Sequence, residues 1–367
     1  MEDYYRPTKA VISLTAIEEN LAAFKKRIGK SQVMAIVKAD AYGHGIVEIA
    51  RKAVGSGVNF LAVATPDEAL VLTENKVKAE ILVLGHAPGR FIPIAQRQGI
   101  TLTAISLDWL AAATDHIQAG LPELKVHLKV DTGMRRVGIQ PDEIEQALEL
   151  MRKHRFSFEG IFTHFATADE EQNELFQSQV AAISQVVEQI GDPSVMVHVS
   201  NSAAAIMHPE LAFDAVRIGI SMYGIAPSSH VEEHLPFSLS PALSLETEII
   251  HVKQVKAGEA ISYGATYRCL QDEWIATLPI GYADGLLRGL QGQDVLVQGK
   301  RCPIVGRICM DQCMIRLPEK MQAGEKVQLI GRQGNEQIRI EEWAEKLNTI
   351  AYEISVNLTK RVPRLYR

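Results

Sequence analysis

Residues 33–45 read VMAIVKADAYGHG: five consecutive apolar residues, a lysine, then a short segment of small and polar residues with two glycines. A run this short, β-rich and bounded by a turn signal predicts a strand buried on both faces, with the Lys38 amine at its carboxyl end. Seven further runs of the same kind follow at 59–63, 80–84, 101–105, 125–130, 158–163, 195–199 and 215–218. Between them, stretches at 67–72, 142–152 and 173–190 carry apolar residues at three- and four-residue spacing, the pattern of helices with one buried face. Eight strands alternating with helices in under two hundred residues predict a (β/α)8 barrel rather than an open doubly wound sheet. A helix over 17–28, opened by Thr15 and Glu18 as a capping box, precedes the first strand and fits outside the barrel.

After Tyr223 the texture changes. The stretch APSSHVEEHLPFSLSPAL leads into alternating strands with hairpin signals such as LVQGKRCPIV, and one helical stretch follows at 340–358. The fold class is therefore α/β, an N-terminal (β/α)8 barrel over residues 1–240 followed by a mainly β domain over 241–367. A chain of 367 residues is long enough for two such cores.

Lys and Arg total 38 against 44 Asp and Glu, a net charge of −6 with no run of like charges, which argues against a nucleic-acid partner. The start, MEDYYRPTKA, is acidic and aromatic where a signal peptide needs a basic start and an apolar stretch, and no run reaches membrane-spanning length. A cytoplasmic protein with no membrane association is the expectation. The four cysteines, Cys269, Cys302, Cys309 and Cys313, read as buried small hydrophobes, since no His or Cys pair completes a metal site.

Barrel chemistry gathers at the carboxyl ends of the strands. The polar residues there are Lys38, Lys129, Asp131, His164, Ser200, Asn201, Ser202, Arg217 and Gly219. Lys38 reads either as an amine desolvated enough to form a Schiff base or as a lysine snorkelling from a strand end. NSAAA (201–205) and RIGIS (217–221) lie where barrels often bind phosphate; Asn201 and Ser202 would open a helix toward an anion, or merely cap it. A phosphate ligand beside a strand-end lysine points to pyridoxal phosphate.

Six strings in this order, AIVKADAYGHG (35–45), HLKVDTGMRRVG (127–138), GIFTHFATAD (160–169), VRIGISMYG (216–224), ISYGATY (261–267) and GRICMDQ (306–312), resemble the alanine racemase family over the whole length. The resemblance implies a pyridoxal 5'-phosphate enzyme that interconverts L- and D-alanine for peptidoglycan by two bases, as a homodimer whose copies complete each other's active sites. Lys38 would carry the cofactor. Tyr42, Ser202, Gly219, Ile220 and Tyr352 would hold its phosphate, and Arg217, supported by His198, would face the pyridine nitrogen with His164 beside the ring. Arg136 would reach the phenolic oxygen and, with Met310, the substrate carboxylate. Tyr263 of the second copy would face Lys38 across the cofactor plane, and Tyr263 with Tyr352 would limit the side chain to about a methyl. The resemblance also implies a carbamylated Lys129 that orients Arg136, against an unmodified Lys129 paired with Asp131. Arg135 departs from the motif, where a small residue is usual, and is expected to crowd this corner with extra charge. Asp169, Tyr282 and Arg288 match positions lining the approach to the site, and Asp311 is read either as a site residue or as a turn residue.

Rival readings are a racemase of another small amino acid such as serine, and a metal-dependent barrel hydrolase using Lys129, Asp131, His164 and His198 as ligands. The hydrolase lacks a His-x-His pair on an early strand and gives Lys38 no role. Decarboxylases on the same architecture are expected to place an acid at the ring nitrogen, which Arg217 opposes. A protein that only carries the cofactor would have no use for Tyr263.

Overall fold

The computed structural model describes residues 4–171 and 174–367. They form two compact units, residues 16–41 with 45–240, and residues 4–15 with 42–44 and 241–367.

The strands in order are β1 (Lys9–Ile12), β2 (Gln32–Ile36), β3 (Phe60–Val63), β4 (Glu80–Val83), β5 (Thr101–Ala104), β6 (Leu124–Lys129), β7 (Phe156–Phe162), β8 (Met196–Val197) and β9 (Ala215–Ile218). β2 through β8 pair in parallel in chain order, and β9 pairs with β2. In a doubly wound sheet the strand order reverses at a switch point; here every crossover steps the same way, which bends the sheet toward closure. The seam between β8 and β9 is joined by Asp214 N–H to Val197 O (3.1 Å) and Arg217 N–H to Ser200 O (2.9 Å). All of β3, β5 and β9 is buried, as expected for strands with helices outside and packed side chains within.

The helix before β2 runs Leu14–Ile28, so Thr15 lies within its first turn and is not the predicted cap. Leu14 N–H donates instead to Arg367 O at 2.7 Å, a backbone partner that local sequence does not reveal. The helix predicted over 173–190 is Glu174–Ile190, residue 173 lying outside the described residues. Among the described residues no helix is long and apolar enough to cross a membrane.

The second unit is a sheet running from His251–Val255 through Glu273–Leu278, Cys313–Leu317, Lys300–Val305, Asp294–Val297, Lys326–Gln333 and Leu243–Glu248 to β1 and Arg364–Tyr366. Its neighbours are antiparallel except the last pair, where β1 and Arg364–Tyr366 run parallel. β1 thus belongs to this sheet, although it lies in the stretch assigned to the barrel from sequence. Leu243–Glu248 alternates buried and half-buried residues, the period of a strand with one covered face. The helical stretch at 340–358 is two helices, Ile340–Leu347 and Ala351–Val356, parted at Asn348, whose φ of 53° ends the first as a left-handed cap.

One buried carboxylate ties this unit together. Asp284 is 0% exposed, pairs with Arg6 (2.8 Å) and Arg361 (3.4 Å), and accepts the Gly281 N–H at 3.0 Å. Its turn hands Tyr282 N–H to Cys309 O and Ala283 N–H to Met310 O, while Arg361 reaches on to Asp311 at 2.7 Å. Asp284→Asn leaves two guanidinium groups converging on a neutral amide and should destabilise the protein by roughly 3 kcal/mol. A lower urea midpoint with unchanged slope is the expected result; a wild-type midpoint would show that the cluster contributes nothing.

Candidate active site

Lys38 lies one residue past β2, after Val37, half-buried at the carboxyl end of the barrel strands. The next four residues, Ala39, Asp40, Ala41 and Tyr42, all have φ between 53° and 54°, a left-handed turn that costs about 1–2 kcal/mol per residue for side chains with a Cβ. Ala41 N–H to Val37 O, Gly45 N–H to Asp40 O (both 2.9 Å) and Ile46 N–H to the Asp40 carboxylate (2.8 Å) support it. Glu68 supplies the strongest restraint. One of its oxygens accepts from Ala39 N at 2.6 Å, and the other from Ala64 N at 2.8 Å and Thr65 N at 3.3 Å, so one carboxylate ties together the segments that follow β2 and β3. The string TPDE signals Glu68 as a helix-capping residue, which it is, but its second oxygen is invisible to sequence. Burial and then the Arg136 and Arg217 charges hold Lys38 below the usual lysine range, partly opposed by Glu68.

Arg217 on β9 lies buried at the barrel centre. It donates to the carbonyls of His198, Thr163 (2.7 Å) and Val199 (3.0 Å), and approaches Nδ1 of His198 at 3.1 Å and of His164 at 3.3 Å. Among the described residues no carboxylate pairs with it. Burial lowers it to about 9, which leaves it charged at neutral pH. His164 is held well below the usual histidine range by burial and by Arg217, and His198 by burial, His127 and Arg217. Lys38, Lys129 and His164 thus lie at strand ends, Arg217 lies within β9, and His198, named only through the family resemblance, immediately follows β8. The sequence reading misses His127, whose Nδ1 lies 2.8 Å from His198 Nε2; inside an apolar strand nothing distinguishes it from a core histidine. With both ring nitrogens engaged, His198 has none left for a metal, and among the described residues no group of three potential ligands gathers.

Lys129 ends β6, and its buried Nζ has no hydrogen-bond partner among the described residues. Asp131 makes no ion pair with it, although its charge partly opposes the lowering of the Lys129 pKa; one Asp131 carboxylate oxygen accepts Gly133 N–H and Arg135 N–H, each at 3.0 Å. Arg135 does not crowd the corner either: it is exposed and donates to Gln140 at 2.9 Å. Its φ of 55° gives the reason a small residue suits that position. Arg136 is exposed, close enough for its charge to act on Lys38, Lys129 and His164.

The capping reading of the 201–205 segment is the one the hydrogen bonds show. Asn201 caps the short helix Ser202–Met207 by accepting Ala204 N–H at 3.0 Å, while the Ser202 hydroxyl accepts Gly219 N–H at 3.0 Å, joining the two proposed phosphate segments. Ile220 is buried just beyond.

In the second unit, Tyr42 and Tyr352 lie ring to ring, centroids 5.9 Å apart, and burial keeps the Tyr42 phenol raised, hence protonated. Gly43 sits so close to Ser355 that a Cβ would fall 2.1 Å from its carbonyl oxygen, and its φ of 82° favours glycine as well. Tyr263, 73% exposed, lines a cavity of about 470 Å³ with Tyr282, Arg288, Cys309, Met310 and Asp311. Cys309 is half-buried there, unlike the buried Cys269, Cys302 and Cys313, so the expectation of four buried thiols fails at this one. Asp311 is bound to Arg361, and Asp169, in the first unit, is half-buried.

Residues 12–227 match the family model described as alanine racemase, N-terminal domain, and residues 242–366 the one described as alanine racemase, C-terminal domain. The chain is 46% identical to alanine racemase 1 of Bacillus subtilis (strain 168), over 99% of this chain and 94% of the relative. The crystal structure of alanine racemase from E. faecalis is similar with a TM-score of 0.96 at 44% identity, covering 99% of each chain. That of alanine racemase from Bacillus anthracis with bound L-Ala-P is similar with a TM-score of 0.94, also at 44% identity, covering 100% of this chain and 96% of that one.

Burial, then the Arg217 and Arg136 charges, lower Lys129 to about 7. Unfolding restores an ordinary lysine near 10.4, so between about pH 7 and 10 the unfolded chain binds a proton the folded chain releases, and this penalty on stability fades as pH rises. In carbonate-free buffer, Lys129→Met should therefore gain less in urea midpoint than wild type between about pH 7 and 9.5. Equal gains would place Lys129 in a solvated setting.

Proposed function

The chain belongs to the alanine racemase family, and on that premise we propose how its own residues carry out the reaction. The protein is an isomerase that racemises alanine, and pyridoxal 5'-phosphate is its cofactor. The residues at the strand ends fit that group: an amine close after β2, and a buried Arg217 with no carboxylate partner among the described residues, make a cationic mouth suited to a phosphorylated, electron-accepting ring. When bound, the cofactor supplies a conjugated ring that draws electron density from the substrate α-carbon.

Lys38 attaches the cofactor and afterwards holds or returns the α-proton on one side. Tyr263 of a second copy does the same on the other, because inversion needs acids and bases on opposite faces. The exposure of Tyr263 (73%) and Met310 (53%) supports this assignment, since both suit a surface that a homodimer partner covers. Arg217 presents N–H donors to the ring nitrogen and, remaining charged, leaves it unprotonated; that weakens the electron sink and restrains side reactions such as transamination. Tyr42, Ser202, Gly219, Ile220 and Tyr352 hold the phosphate, with the neutral Tyr42 phenol as a donor. His164 flanks the ring, and Arg136 with Met310 orients the substrate carboxylate. Reaction of the neutral Lys129 amine with carbon dioxide, releasing a proton, gives a carbamate, an anion facing Arg136 in place of an amine; the depressed pKa and an Nζ without a hydrogen-bond partner among the described residues support it. We place the activity in the cytoplasm, supplying D-alanine for peptidoglycan.

The observation that carries the reading is a buried Arg217, bonded to backbone carbonyls and close enough for its charge to act on Lys38, where other chemistries would need a carboxylate. Lys38→Ala and Tyr263→Phe should each lower racemisation at least 100-fold, and Tyr263→Phe should keep solvent deuterium exchange at Cα of one enantiomer alone. Mixing the two inactive variants should restore about a quarter of wild-type activity, because half the dimers are hybrids and each hybrid holds one intact site. No recovery on mixing would confine each site to one chain, and equal loss of exchange for both enantiomers would remove Tyr263 from the proton path.

A further inference from the structure

We infer that His127 is a positioning residue that fixes the tautomer of His198 and, through it, the aim of the Arg217 guanidinium. The inference rests on the reading above in which Arg217 faces the ring nitrogen of the cofactor. A guanidinium only donates. His198 Nδ1, 3.1 Å from Arg217 Nη1, must therefore accept, and cannot carry a proton. His198 is held neutral by burial and its single ring proton sits on Nε2. That atom lies 2.8 Å from His127 Nδ1, which must accept in turn and leaves the proton of His127 on its own Nε2. Burial pushes His127 down to about 3, so it is neutral as well and the direction of the whole chain is set by the arginine at one end.

The surroundings hold both rings in these roles. Phe162 stacks on His198 with centroids 4.8 Å apart and planes 14° from parallel, which fixes the plane of that ring. Gly160, the register partner of His127 across β6 and β7, makes room for the other: a Cβ there would fall 2.7 Å from Cε1 and 2.8 Å from both nitrogens of His127. Without an acceptor at position 127, the His198 Nε2–H is buried with no partner. The alternative tautomer then gains, but it points an N–H at Arg217, donor against donor, and moves the guanidinium away from its site.

Nitrogen NMR of the cofactor-free protein with ¹⁵N-labelled histidine tests the tautomers directly. We expect His198 to show a protonated Nε2 and a bare Nδ1. His127→Leu should shift that pattern toward a protonated Nδ1, displace the visible absorption band of the holoenzyme, and lower kcat about tenfold or more with KM for alanine little changed. His127→Asn, which places an amide oxygen near the former Nδ1, should restore both the signals and kcat, a rescue that simple packing does not predict. A protonated Nδ1 on His198 in the wild type would overturn the inference, as would wild-type kcat with unchanged nitrogen signals in His127→Leu. Should that variant fail to fold, the wild-type signals and the Asn variant still decide. Failure of the underlying reading shows elsewhere, as an Arg217→Lys variant with unaltered kcat and absorption.

Discussion

The buried charge of Arg217 is the constraint around which the barrel unit is organised. A guanidinium in an apolar interior is expensive unless its donors are met, and here carbonyls at the ends of β7 and β8, with two imidazoles, meet them. None of these acceptors is an anion, so the two Nη groups find hydrogen-bond partners while the charge finds none. Lys38 and Arg136 add to the imbalance. The result is a pocket wall whose electrostatics are completed by its ligand. The same residue sits at the barrel seam, where its own backbone N–H bonds to Ser200, so closure of the sheet and preparation of the site are one event.

The second organising feature is the left-handed turn at 39–42. Four such residues in a row persist only when their surroundings over-determine them. Glu68 does much of this, grasping the backbone on either side of the β2–β3 pair, and it also moderates the electrostatic pressure on Lys38. The turn makes the amine the last side chain before an abrupt change of direction.

Much of this architecture was legible in the residues, and the gaps follow a physical pattern. Apolar runs such as 33–37 and 215–218 report burial on both faces, and their alternation with helices reports the crossovers, so the barrel and the strand-end residues could be read locally. What stayed hidden depends on partners distant along the chain. The N-terminal Lys9–Ile12 looks like any short strand until its neighbours at 243–248 and 364–366 are known. His127 and Gly160 have meaning only as a pair across two strands, and the second oxygen of Glu68 only through the chain reversal at Ala39. Arg135 was misjudged for a local reason: its positive φ swings the side chain outward to Gln140, and charge counting along a sequence is blind to direction.

The parallel pairing of Lys9–Ile12 with Arg364–Tyr366 also has a consequence for biosynthesis. On the ribosome, at about 5–20 residues per second, the first of these strands emerges some tens of seconds before its last neighbour is made. The barrel strands between them are translated in the interval, so nascent-chain folding proceeds from the middle outward. The β-sheet unit matures only once Arg364–Tyr366 has emerged, so Lys9–Ile12 waits longest among its strands for its parallel neighbour.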